Sequence, residues 1–171
     1  MLTFEQAFAR LIGHEGKFTD DPKDRGNWTS GRCGVGELKG TKYGISAMAY
    51  PHLDIRNLSL DAAKLIYQRD YYDVVDAHPA VRFQLFDAAV NHGKENAVRI
   101  LQRAAGVAQD GHWGPRSQAA LDAMSLDDQL MRFVAYRLHF WADLKTFDEF
   151  GRGWTRRGAD NLLFAASDNE T

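Results

Sequence analysis

Phe4, Ala7, Phe8, Leu11 and Ile12 recur at spacings of three and four, which lays one apolar stripe along a helix. Thr3 followed by Gln6 has the form of a capping box at its start. Glu15 lies four residues after Leu11 and three after Ile12, so it continues the apolar face at the helix end. Periodic segments return after a long gap. Ser59 is placed to cap a second helix with Leu60, Ala63, Ile66 and Tyr67 on one side. Pro79 opens a third that carries Val81, Leu85, Ala88 and Ala89, and "NHG" at 91–93 interrupts it.

Helix resumes over 95–105 and ends at Gly106, a suitable C-cap. "DGHWGP" at 110–115 is a turn whose proline suits the first position of the next helix. Ser125 with Asp128 caps a long helix bearing Leu130, Phe133, Val134, Arg137, Leu138 and Trp141. A short last helix is expected over about 158–166, with a frayed tail at 167–171. The pattern predicts a mainly α protein.

The gap between the first two helices has different chemistry. Residues 16–44 hold seven glycines, one proline and many Asp, Asn, Ser and Thr, which is turn chemistry, with a short hairpin expected around Lys42–Ser46. An irregular segment of this length inside a compact domain is usually functional. Trp28, Tyr43 and Ile45 argue that it is ordered.

Composition narrows the classes. The 171 residues are 44% hydrophobic and 26% charged, as in ordinary globular domains, and suffice for a sizeable core. Twenty-one basic residues against 23 acidic ones give a net charge of −2 and no global attraction to nucleic acid. The helix–turn–helix run over 95–123 has a turn of about ten residues, too long for the DNA-binding motif. A single cysteine, Cys33, permits no internal disulfide and sits in a Gly-rich loop without a base nearby in sequence. Nothing approaches the ~18 uninterrupted apolar residues of a membrane span, and the N-terminus lacks the form of a secretory signal. The expectation is synthesis as a soluble cytoplasmic chain without a signal peptide. The six histidines show no ligand spacing, and "DDPKDRG" lacks the terminal glutamate of a calcium loop. No metal or cofactor is expected.

Glu15 is the residue whose position asks for an explanation. The C-terminal end of a helix disfavours an anion, and so does an apolar face. Both raise a carboxyl pKa, as a general acid that protonates a leaving oxygen requires. The alternative is a glutamate turned to solvent or paired with an arginine. Asp20, Asp21 and Asp24 follow closely, with hydroxyls at Thr29, Ser30 and Thr41. An acid facing a second carboxylate is the arrangement of glycoside hydrolysis. For Asp24 the alternative is an Asx-turn in "KDRGN". Arg152, Arg156 and Arg157, with Trp154, suit either an anionic polymer or a solvated helix end.

The stretch "HEGKFTDDPKDRGNWTSG…GTKYGIS" resembles the signature of glycoside hydrolase family 108, the phage and prophage N-acetylmuramidases, roughly E-G-G-Y-x-N-D-P-x-D-x-G-G-x-T-x-x-G-I-T. Glu15 and Gly16 match its start, Asp21, Pro22, Asp24 and Gly26 its middle, and "TKYGIS" at 41–46 its end. "FDAAVNHG" at 86–93 and "LQRA…DGHWGP" at 101–115 resemble the helical peptidoglycan-binding region that accompanies the family, and "GWTRR" at 153–157 its closing motif. The resemblance covers about residues 5–160.

It implies a lysozyme-like helical fold with the irregular loops and hairpin at the active-site cleft. It implies a hydrolase region over 1–91 and a helical peptidoglycan-binding region over 92–166, packed as one compact unit. The implied reaction is hydrolysis of the bond between N-acetylmuramic acid and N-acetylglucosamine, on peptidoglycan glycan strands, by a monomer. Glu15 takes the position of the catalytic glutamate and Asp24 that of its partner. The insertion "NWTSGRCGVGELKG" at 27–40 leaves the family threonine as Thr41 by context or Thr29 by spacing. Tyr43, Asn91, Phe18 and Trp113 are the candidate substrate-binding residues. The missing signal fits an endolysin released onto the periplasmic cell wall, and equally a muramidase that serves secretion. A non-catalytic peptidoglycan-binding or secretion-accessory module is the alternative.

Overall fold

A computed structural model describes residues 2–12 and 17–169. Glu15, with Gly13, His14 and Gly16, lies outside the described residues. The fold is mainly α and lysozyme-like, with one two-stranded antiparallel sheet among the described residues. Helix α1 spans Phe4–Leu11, and Ile12 adds one more helical bond, its N–H donating to the Phe8 carbonyl at 2.9 Å. Strands β1 (Thr41–Lys42) and β2 (Ile45–Ser46) follow, and then helices α2 (Leu60–Tyr67), α3 (Pro79–His92), α4 (Lys94–Ala104), α5 (Pro115–Asp122), α6 (Leu126–Ala142) and α7 (Phe147–Asp168). The chain divides into two compact units, one of residues 5–68 and one of 1–4 with 69–171. A five-residue π-helical turn, Gln68–Tyr72, begins where they divide.

In the smaller unit, Ser59 caps α2 by accepting the Ala62 N–H at 3.1 Å. Ala63 and Tyr67 are buried as their spacing predicts, but Leu60 is exposed, because the cap places it on the first turn of the outer face. The Tyr67 ring meets Phe8 edge-on at 5.6 Å.

The helical unit packs α3 against α4, α6 and α7 around Leu85, Ala89, Leu101 and Phe133. Each fully buried Leu or Phe of this kind contributes about 1.5–3 kcal/mol. The interruption at "NHG" is a corner inside this unit. Gly93 sits at φ +85°, where a side chain is strained, and lets α3 stop and α4 begin at once. Helix α7 differs most from the sequence reading. It begins eleven residues before the expected 158 and runs to Asp168, so Ser167 and Asp168 are helical, while Glu170 and Thr171 lie outside the described residues. Two of its glycines are packing sites. A Cβ on Gly158 would come within 2.7 Å of Leu138 Cδ2, and one on Gly151 within 2.8 Å of the Phe147 ring.

A buried ionic network ties two of the sequence motifs together. Asp87, from "FDAAVNHG", accepts from Arg157 of "GWTRR" through Nη2 at 2.7 Å and Nε at 3.1 Å, and from Asn161 Nδ2 at 3.2 Å. The fully buried Arg137 completes an ion pair with the same carboxylate. Burial alone would raise the Asp87 pKa, but the Arg157 hydrogen bonds and the Arg137 charge outweigh it and hold the carboxyl below its ordinary range. Arg157 thus turns inward, while Arg152 and Arg156 remain exposed.

Arg137 Nε also donates to His92 Nε2 at 3.0 Å. Burial first, and the Arg137 charge second, lower the His92 pKa from 6.5 to about 3. His92 is therefore neutral when folded, whereas the unfolded chain protonates it below about 6.5. The unfolded state binds more protons through this window, so stability present above pH 6.5 is lost as pH falls toward 3. The urea unfolding midpoint should fall over that range, and His92→Gln should flatten the slope. Identical slopes would contradict the assignment.

Candidate active site

Residues 17–46 form a chain of turns dictated by short polar side chains. Asp21 Oδ1 accepts the Lys23 N–H at 2.9 Å. Asp24 Oδ1 accepts the Gly26 N–H at 2.8 Å and caps a single 3₁₀ turn, Arg25–Asn27. The Asx-turn read for Asp24 is thus present. It uses one carboxylate oxygen, and Oδ2 has no hydrogen bond among the described residues.

The insertion closes on itself. Trp28 bridges to Leu38, the Thr29 N–H donates to the Glu37 carbonyl at 3.0 Å, and Thr29 Oγ1 accepts the Glu37 N–H at 2.9 Å. Gly36, at φ +80°, would bring a Cβ within 2.6 Å of Thr29 Oγ1. The excursion over 29–37 therefore adds length without separating its flanks. Asn27 meets Lys39 and Gly40 directly, and both of their N–H groups donate to its carbonyl at 3.0 Å.

Asn27 is the hub of the region and is fully buried. Its Oδ1 accepts from Thr41 Oγ1 at 2.7 Å, its Nδ2 donates to the Asp21 carbonyl at 3.0 Å, and its N–H donates to the Asp24 carbonyl at 3.1 Å. One side chain thus ties the turn bearing Asp24 to the strand bearing Thr41. Sequence reasoning passed over it, because "GN" before a tryptophan reads as loop; its only signal was its place inside the motif. Asn27→Ala would leave the Thr41 hydroxyl without its acceptor and take one of two donors from the Asp21 carbonyl, at a cost of about 1–3 kcal/mol. Urea denaturation should show that loss, and an unchanged midpoint would contradict the hub.

Thr19 and Thr41 pair in both directions, at 2.9 and 2.8 Å. Phe18 is half-buried, its ring held against Gly40 and stacked under the Arg56 guanidinium at 4.4 Å. Tyr43, at φ +52°, and Gly44, at φ +75°, form the two-residue hairpin turn, whose twist requires both in the left-handed region. The Tyr67 hydroxyl donates to the Tyr43 carbonyl at 2.9 Å and fixes that turn.

Asn91 and Trp113 belong to the helical unit. Asn91 lies exposed on the last turn of α3, its Nδ2 donating to the Asp87 carbonyl at 2.6 Å. Trp113 Nε1 donates to Gln118 Oε1 at 2.8 Å, and its ring packs against the core. Cys33 is exposed, its thiol 3.3 Å from the Lys23 carbonyl. No group of three or more His, Cys, Asp or Glu able to hold a metal occurs among the described residues. No helix among them is long and apolar enough to cross a membrane.

Residues 8–93, half of the chain, match the family model "Glycosyl hydrolase 108". The chain belongs to glycosyl hydrolase family 108. It is therefore a glycoside hydrolase, of a family that acts on peptidoglycan. The glycosyl hydrolase 108 span takes in Asp24, Asn27, Thr41 and Tyr43 and ends at the Gly93 corner, so Trp113 and Arg157 lie beyond it. Ten solved chains are similar to the protein. Among them, the structure of Brucella abortus SagA aligns with a TM-score of 0.75 at 28% identity, covering 98% of this chain and 96% of that one. No curated protein sequence matches the chain.

Proposed function

We propose that the protein is an N-acetylmuramidase that hydrolyses the bond between N-acetylmuramic acid and N-acetylglucosamine in peptidoglycan. Glu15 is the general acid, and Asp24 and Thr41 hold the attacking water. The observation that carries this reading is the Asn27 link between the Asp24 turn and Thr41, inside the matched family span. The hydrogen-bond directions suit the task. Asp24 has Oδ1 engaged by Gly26, which fixes the carboxylate while Oδ2 stays available as a base. Thr41 gives its own proton to Asn27, so it meets a water as an acceptor. Two acceptors take the two protons of one water and leave a lone pair for the anomeric carbon. Thr29 suits this less well, since its oxygen already accepts from Glu37 and lies against Gly36.

In this reading residues 92–166 supply binding to the same polymer. The chain works as a monomer on the periplasmic wall, after synthesis in the bacterial cytoplasm and release. Asp24→Asn should lower the rate of peptidoglycan hydrolysis about a hundredfold, the range set by losing a general base. Thr41→Ala should cost about tenfold or more, and Thr29→Ala less than about twofold. A fully active Asp24→Asn enzyme would exclude a direct role for that carboxylate. A larger loss from Thr29→Ala than from Thr41→Ala would reverse the choice of threonine.

A further inference from the structure

The unit that carries Asp24 and Thr41 also has a second feature that hydrolysis of a neutral sugar linkage does not use. A cleft of about 350 Å³ opens between residues 38–39 and the turns at 52–56. Its polar lining is Lys39, His52, Asp54 and Arg56, with Leu38 and Leu53 beside them. The lining is held in place before any ligand arrives. Lys39 Nζ reaches across to the Pro51 carbonyl at 2.8 Å. Arg56 stacks on the Phe18 ring and donates to Asp20 Oδ2 at 2.9 Å, while Lys42 Nζ grips the Arg56 carbonyl at 3.0 Å. Asp54 is fixed by the Asn57 side-chain amide at 2.9 Å, and its hydrogen bonds from Asn57 keep it ionised.

Position matters as much as composition. Lys39 is two residues from Thr41, and its backbone N–H rests on the Asn27 carbonyl. Two residues of extended chain span at most about 7 Å, so the cleft opens next to the proposed catalytic turn. In peptidoglycan the muramic acid carries a short peptide on its lactyl group, beside the bond proposed to be cut. That peptide bears free carboxylates and, where a diamino acid is present, a free amine.

We propose that this cleft binds the peptide stem of the substrate. Lys39, His52 and Arg56 donate to stem carboxylates, and Asp54 accepts from a stem amide or amine. The inference rests on the muramidase reading for its choice of ligand. Lys39 and Arg56 already have acidic neighbours in Glu37 and Asp20, whose side chains are 71% and 49% exposed. Ion pairs so open to water are weak, and both cations can exchange to a ligand carboxylate.

The test is calorimetric titration of the full chain with a soluble disaccharide-tripeptide, and with the same compound after its carboxylates are converted to carboxamides. The carboxylate form should bind about tenfold more tightly, a ratio that reads the charged contacts alone. That advantage should shrink as salt rises from about 0.05 to about 0.5 M. In the Lys39→Gln/Arg56→Gln variant the ratio should fall below about twofold, with Lys39→Arg retaining the preference because it keeps the charge. Equal affinity of the wild type for the two forms overturns the proposal, as does an unchanged ratio in a double variant that unfolds at the wild-type temperature. The titration needs no turnover. Failure of hydrolysis with the ratio intact therefore removes the muramidase reading alone, and a ratio of one with hydrolysis intact removes the stem cleft alone.

Discussion

Glu15→Gln should reduce peptidoglycan hydrolysis about a thousandfold while leaving the unfolding temperature unchanged, since the amide cannot donate the proton that positioned general acids supply for factors of about 10²–10⁴. In the sequence Glu15 continues the three- and four-residue spacing of the apolar positions Leu11 and Ile12. The negative end of a helix and an apolar stripe both penalise a carboxylate, and the proposed acid role draws on that penalty. A glutamine has nearly the same shape and carries no charge penalty, so the fold should tolerate it. The measurement is the rate of new reducing-end formation, alongside thermal unfolding of the same preparation. A variant with normal melting and more than about a tenth of wild-type activity would remove Glu15 from the acid role. The basic limb of the pH–rate profile should also belong to Glu15 and vanish with it.

The second large effect concerns stability. Asp87→Asn should destabilise the protein by about 3–5 kcal/mol, because it leaves the buried Arg137 charge without its counterion. Arg137 is fully buried and Asp87 nearly so, and the carboxylate also organises Arg157 and Asn161. Among the described residues Arg137 Nη1 has no hydrogen-bond partner, and His92, which accepts from its Nε, is a neutral group that cannot replace the lost charge. A double-mutant cycle with Arg137→Met separates the pair from its surroundings. Methionine fills similar space without charge, so the double variant should be more stable than the sum of the single losses predicts. Guanidinium denaturation of the four proteins reads this directly. A loss below about 1 kcal/mol in Asp87→Asn, or strictly additive losses, would show that the network is not a coupled unit.

Much of this was legible in the sequence where local chemistry decides. The caps at Ser59 and Ser125, the proline starts at 79 and 115, and the hairpin before Ser46 all follow from short-range hydrogen bonding and fixed φ angles. What escaped depends on partners distant in the chain. Helix α7 extends eleven residues ahead of its expected start, through Gly151 and Gly153, which disfavour helix locally. Arg137 sits on an apolar stripe, and its counterion, Asp87, lies fifty residues earlier. In the candidate region the Asx-turn at Asp24 was legible, but the Asn27 link from that turn to Thr41 was not. Spacing along the sequence counts the residues of the excursion, whereas space does not, because the Trp28–Leu38 bridge closes it off.

The most direct test of the central claim is product analysis after digestion of purified peptidoglycan, with each new reducing end identified chemically. A muramidase leaves N-acetylmuramic acid at the new reducing ends, and the Glu15→Gln protein should leave none above background. Reducing ends on N-acetylglucosamine, or binding to the polymer with no new reducing ends at all, would contradict it.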